Sequence, residues 1–121
     1  MQKFNVLFYE EENGKRPVEE FMLKLDLKMR AKLSGLINVL SEKGNALREP
    51  YSKQLEGGIF ELRCSVGNNI TRVLYFFYHE GKIVLTNGFI KKTQKTPRKE
   101  IELAKNRRKK YIERIEKNER I

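Results

Sequence analysis

Residues 59–90 constrain the fold more than any other part of the chain. Three strand-like runs, "IFELRCSV", "ITRVLYFFYH" and "KIVLTNGFI", follow one another with only "GNN" and "EG" between them. Runs rich in β-branched and aromatic residues, separated by so few residues of turn chemistry, specify hairpins. The stretch therefore reads as a three-stranded antiparallel meander. Strand residues alternate between faces, and a slip of one residue exchanges the faces, so the two turn lengths decide which side chains converge. Closing the first hairpin over Gly67-Asn68 sets Val66 opposite Asn69 and Arg63 opposite Arg72. Closing the second over Glu80-Gly81 sets His79 opposite Lys82 and Arg72 opposite Phe89. Phe60, Leu62, Cys64, Val73, Tyr75, Phe77 and Val84 then share an apolar face fit to receive helices, while Glu61, Arg63, Arg72, Asn87 and Lys91 share a charged one.

The rest of the chain supplies those helices. "FNVLFYE" (4–10) is apolar on both faces and reads as a buried or central strand. After the turn "ENGKRP", Pro17 suits a first helical position, and Val18, Phe21, Met22 and Leu25 recur at helical spacing, which predicts a helix over 17–26. Met29, Leu33, Leu36, Ile37 and Leu40 make the apolar stripe of a second helix over 27–43, with Gly44 as its C-terminal cap. The two helices read as a hairpin packed on the sheet. "ALREPYSKQLEGG" (46–58) reads as a polar connector. From Thr96 as N-cap and Pro97 as first residue, a C-terminal helix runs to about 117, with Ile101, Ala104, Tyr111 and Ile115 on its apolar face. One domain over residues 1–121 accommodates all of this.

Charge narrows the function. Residues 91–121 hold 13 Lys and Arg against 5 Asp and Glu, a net of +8, whereas residues 1–90 hold 13 against 11, a net of +2. A concentrated basic patch attracts polyanions, and without a leader or a long apolar run nucleic acid is the expected partner rather than a membrane. The expected location is the cytoplasm. One cysteine, Cys64, and one histidine, His79, cannot assemble the usual metal clusters, so no metal or other cofactor is expected. Cys64 reads as a small core residue and His79 as an exposed turn residue.

Two arginines directly opposite one another repel unless an anion or a carboxylate lies between them. Glu61 is placed to be that carboxylate. Mid-strand arginines are commonly members of structural ion pairs, and basic runs commonly solvate a helix face. Against both readings stands the convergence of Arg63 and Arg72 with Lys91, Lys92 and Lys95 of "GFIKKTQKTPRKE" (88–100), which describes an anion site. Phe76 and Tyr78 are the aromatics on the charged face that could stack on a base, although core packing accounts for them too.

The order "KQLEGGIFELR", "ITRVLYFFY" and "IVLTNGFIKKTQKTPRKEIELAKNR" resembles the phage-derived branch of the RelE/HigB-like toxins of bacterial type II toxin–antitoxin systems. The similarity runs from residue 4 to about 115, with G-F-I-K-K-T-Q-K-T-P-x-x-E-I-x-x-A and G-I-F-E-L-R as its anchors. The resemblance implies a RelE-like α+β fold: an antiparallel sheet with an N-terminal helical hairpin on one face, a C-terminal helix, and a basic cleft on the open face. It implies a ribosome-dependent mRNA endoribonuclease, neutralised by a helix-turn-helix antitoxin through which the complex reaches DNA. The implied chemistry is metal-free attack of a ribose 2′-OH on the adjacent phosphate. Arg63 and Arg72 would stabilise the phosphorane, one of Lys91, Lys92 and Lys95, Lys91 first, would transfer protons, and Glu61 would be the fallback base. Lys92, Lys95, Arg98 and Lys53 would hold RNA. Better known members of the superfamily use a histidine or a late tyrosine for proton transfer, and here the late tyrosine, Tyr111, falls inside a helix. The rival readings are a ParE-like gyrase inhibitor that cuts nothing, and a non-enzymatic ribosome- or RNA-binding protein. A DNA-binding regulator is disfavoured by the lack of helix-turn-helix spacing.

Overall fold

The computed structural model describes residues 3–90 and 95–119. The element order is β1 (Asn5–Phe8), α1 (Pro17–Leu23), α2 (Leu27–Lys43), a 3-10 turn (Gly44–Ala46), β2 (Ser52–Gln54), β3 (Phe60–Val66), β4 (Asn69–Tyr78), β5 (Lys82–Ile90) and α3 (Arg98–Glu119). The strands form one sheet in the order β1-β5-β4-β3-β2. The fold is α+β as expected, but its sheet is mixed, because β1 runs parallel to β5 while every other pair is antiparallel. The chain starts with a strand, and the two helices that follow do not form a self-packed hairpin: α1 lies on β5 and β1, and α2 on β3 and β1.

The second surprise is the other face. Val18, Met29, Leu33 and Leu40 join Leu62, Cys64, Val73, Tyr75, Ile83 and Leu85 in one core. Leu74, Phe76 and Val84 point the opposite way and pack with Tyr9, Ile59 and Ala104, with Tyr78 and Tyr111 against them. The sheet is thus covered on both sides, by α1 and α2 on one and by α3 on the other. That explains β1. Its apolar residues on both faces reflect two covered faces rather than a central position, and it is an edge strand.

The turn register is where the sequence reading half succeeds. The first hairpin has Val66 opposite Asn69 and Arg63 opposite Arg72, as the two-residue turn requires. The second closes with Tyr78 opposite Lys82, so the turn has three residues, two of them, Glu80 and Gly81, at positive φ. A bulge at Thr86, between the pairs Tyr75–Leu85 and Leu74–Asn87, then restores the expected register, and Arg72 does face Phe89. Between turn and bulge every side chain of β5 is on the face opposite to expectation, which is why Val84 belongs to the α3 side. Two groups seal the bulge. The Thr86 hydroxyl donates to the Leu74 carbonyl at 3.1 Å, and Arg107 Nη1 on α3 donates to the Thr86 carbonyl at 2.8 Å.

Local chemistry fixes the helices. The Asp26 carboxylate caps α2 by accepting from Met29 N at 2.8 Å, and Arg30 donates to the terminal carbonyls Met22 O and Leu23 O of α1. Gly88 of β5 lets α1 sit close, since a Cβ there would lie 2.6 Å from the Phe21 ring. The connector 46–58 contains the unforeseen β2, anchored when Tyr75 and Ser52 share a hydrogen bond through their hydroxyls. Arg107 and Arg108, half of the basic run on α3, point inward to Thr86 O and Gly57 O, while Lys109 and Lys110 are exposed.

Candidate active site

The facing pair Arg63 and Arg72 sits where β3 and β4 run beside the start of α3. Glu61, two residues before Arg63 and hence on the same face, lies between the two guanidinium groups. Its Oε1 accepts from Arg63 Nε at 2.7 Å and from Arg72 Nη1 at 3.4 Å. Its Oε2 accepts from Arg72 Nη1 at 3.4 Å and from the Thr96 hydroxyl. The Glu61 side chain is fully buried and that of Arg72 only 2% exposed, whereas Arg63 is 24% exposed. A carboxylate shared by two arginines removes their repulsion and leaves the cluster with one net positive charge.

Arg63 is the member that reaches solvent. Its Nε is committed to Glu61, and among the described residues its two terminal nitrogens make no hydrogen bond. Arg63 borders a cleft of about 440 Å³ whose other lining residues are Lys53, Gln54, Leu55, Glu56, Lys95, Thr96, Arg98 and Ile101. The fold assembles it from three places: β2 contributes Lys53, opposite Glu61 in the ladder; β3 contributes Arg63; and the segment entering α3 contributes Lys95, Thr96 and Arg98. Asn87, expected on the charged face, donates through Nδ2 to Glu100 Oε1 at 2.9 Å and so ties β5 to the first turn of α3.

Of the residues singled out in the sequence, Arg63, Lys53, Lys95 and Arg98 line one cleft, with Glu61 and Arg72 directly behind. Lys91 and Lys92 lie outside the described residues. Thr96, read as an N-cap, instead holds Glu61. The sequence reading passed over Glu56, which accepts both terminal nitrogens of Arg98 and Nζ of Lys105. Those hydrogen bonds, that of Arg98 first, hold its carboxyl down at about 2. The signal was slight: one of two acids, the one directly before Gly57-Gly58, in a connector without periodicity.

The remaining candidates fall elsewhere. Tyr111 packs edge-on to Phe76 and Tyr78, and burial pushes its hydroxyl pKa up. Phe76 and Tyr78 are four and six residues along β4 from Arg72, about 13 and 20 Å at the usual rise per residue, so Tyr111 packs along β4 away from the arginine pair. His79 is exposed in the second turn and Cys64 is buried, its thiol pKa raised by desolvation. Phe76 is core. Among the described residues no group of three His, Cys, Asp or Glu side chains is gathered to hold a metal, and no helix is long and apolar enough to cross a membrane.

Comparison with known proteins places this geometry in context. The model of the family described as "Phage derived protein Gp49-like (DUF891)" matches residues 20–109. Two curated relatives are both described as "Probable endoribonuclease HigB1", from Mycobacterium tuberculosis strains CDC 1551 / Oshkosh and ATCC 25618 / H37Rv. Each is 44% identical to this chain over 57 residues, which is 47% of this chain and 45% of the relative. The chain thus spans about half the length, 45%, of the curated relatives it matches.

Proposed function

Since the chain belongs to the phage-derived Gp49-like family of RelE/HigB-like toxins, we propose that it is the toxin of a type II toxin–antitoxin pair, an endoribonuclease that cuts mRNA on the ribosome and is neutralised by a helix-turn-helix antitoxin. The observation that carries this reading is Arg63: fixed through Nε by the buried Glu61 and itself partly exposed, it lines a cleft whose rim is Lys53, Lys95 and Arg98. A planar fork held in place by a buried carboxylate suits the non-bridging oxygens of a phosphodiester.

The proposed reaction needs little more. The ribose 2′-OH loses its proton and bonds to the adjacent phosphorus, the bond from phosphorus to O5′ breaks, and O5′ takes up a proton. The products are a 2′,3′-cyclic phosphate and a free 5′-OH. Because the nucleophile belongs to the substrate, no metal-bound water is required. Arg63 stabilises the charge that grows on the phosphorane, and such preorganised donors contribute several kcal/mol, roughly 3–4 for one well-aimed group. Arg72 adds its charge from behind and holds Glu61. Saturated by Arg63, Arg72 and Thr96, Glu61 is better suited to positioning than to proton transfer, which falls to Lys91. Lys92, Lys95, Arg98 and Lys53 grip the backbone, and the ribosome orders the message for attack.

Brief induction in bacteria, with 5′ ends of mRNA mapped while translation runs or is blocked, tests the reading. New translation-dependent ends inside reading frames, abolished by Arg63→Ala, are expected. Arg63 is the informative site because it is partly exposed, whereas removing buried Arg72 would also unsettle Glu61. Intact mRNA with growth arrest and DNA damage would transfer the chain to the gyrase inhibitors. Intact mRNA without toxicity would leave a binding protein.

A further inference from the structure

Among the described residues that line the cleft, Glu56 is the one acid, and it does not point away from the cations. It takes Arg98 in a two-pronged pair, Oε1 to Nη1 and Oε2 to Nη2 at 2.7 Å, and accepts Lys105 Nζ on Oε2. Arg98 and Lys105 stand seven residues apart on α3, two turns along one face, so that both converge on the same carboxylate. The turn carrying Glu56 is closed by Ile59 N donating to Glu56 O at 3.0 Å, and it is pinned to α3 by Arg108, which donates to the Gly57 carbonyl. A carboxylate engaged by an arginine fork has the geometry of a phosphate engaged by the same fork.

Resting on the RNA-cleaving reading above, we propose that Arg98 and Lys105 form a second anion subsite, for a backbone phosphate of single-stranded RNA flanking the one held by Arg63, and that Glu56 occupies this subsite until the phosphate displaces it. Three observations support it. The pair is at the rim, with Arg98 59% and Glu56 40% exposed, so exchange of one anion for another needs no unfolding. Lys53, Arg63 and Lys95 surround it, so an incoming polyanion meets a positive field. The hydrogen bonds of Arg98 and Lys105 hold the Glu56 carboxyl down at about 2, so at neutral pH it is a charged competitor for an incoming anion. The contact holds down binding to stray RNA, and substrate that fills both subsites at once overcomes it.

The test uses a short single-stranded oligonucleotide with 2′-O-methyl sugars, which offers phosphates but no attacking hydroxyl, titrated by fluorescence anisotropy over a range of salt. Glu56→Gln should bind about three- to tenfold more tightly than wild type at low salt, in line with the modest worth of rim charges. Its log–log salt slope should be steeper by about 0.7, the increment for one more phosphate neutralised on a single strand. Glu42→Gln, which makes the same change of charge at an exposed site on α2, should gain nothing. In Glu56→Gln/Arg98→Ala the gain should vanish. Equal or weaker binding by Glu56→Gln, a gain that survives loss of Arg98, or a gain shown only towards an acidic peptide overturns the subsite while wild-type RNA binding stands. If wild type and all variants fail to bind the oligonucleotide, the RNA reading falls and the subsite with it.

Discussion

Two arginines face one another across β3 and β4, one of them almost fully buried, and without compensation that arrangement would be strongly unfavourable. Glu61 offsets it with both oxygens, and Thr96 completes the carboxylate's shell. Glu61→Gln keeps the shape and removes the charge, so it should destabilise the protein by about 3–5 kcal/mol, the usual result of orphaning a buried ion. For a domain of this size that is a fall in Tm of roughly 12–20 °C by calorimetry; an unchanged Tm would mean that Arg72 does not depend on it. Glu56 gives a different signature. Its pKa is depressed from 4.5 to about 2 by Arg98 and Lys105, so its stabilising contribution is complete above pH 4.5 and is lost as the pH falls through about 2. In urea melts, the gap between wild type and Glu56→Gln should be constant from neutral pH to about 5 and close between there and pH 2. This site was legible because its three charged members lie in one hairpin, where turn chemistry alone fixes register. Thr96 and Glu56 were not, since each meets its partners only through the packing of α3.

Among the elements, β5 shows how a right answer can hide a wrong path. The run Ile83, Val84 and Leu85 is apolar throughout, so hydrophobic patterning cannot choose its faces, and a two-residue turn without a bulge serves the site as well as a three-residue turn with one. What decides is polar: the Thr86 hydroxyl on Leu74 O and Arg107 on Thr86 O. Arg107→Leu leaves the fully buried Thr86 without that donor and also loses the 3.0 Å contact with Glu11. It should cost about 1–3 kcal/mol in denaturant melts, with faster amide exchange around 85–87; a neutral substitution would show that the bulge holds itself. The same reasoning explains the other misreadings. β2 is three polar residues, Ser52–Gln54, whose strand state comes from pairing with β3 rather than from propensity. The parallel β1 was invisible because nothing local encodes a pairing made across the whole helical segment.

At the scale of the molecule, α3 is both a cover and a rim: it buries the Leu74, Phe76 and Val84 side of the sheet, brings Arg98 to the cleft and sets Lys105 on Glu56 at its edge. The excess charge is therefore spent partly on anchoring and partly on the cleft. If three or four of Lys53, Arg63, Lys95 and Arg98 neutralise phosphates, the log–log salt slope for single-stranded RNA should be roughly −2 to −3, a loss of about 20- to 50-fold between 50 and 200 mM salt. A slope near zero would remove RNA backbone as the ligand. The order of assembly also follows from the layout. The meander β3–β4–β5 is local in sequence, whereas β1 reaches β5 by pairing Asn5 with Lys82. Loop-closure entropy favours the meander as the early structure and the β1 edge as the late one. Such a nucleus must bring Arg63 against Arg72 before α3 arrives to help, and it can do so only because Glu61 lies in the same hairpin: the first part to fold carries its own counter-ion. Glu61→Gln should accordingly show its loss of stability in stopped-flow experiments as slower folding rather than faster unfolding.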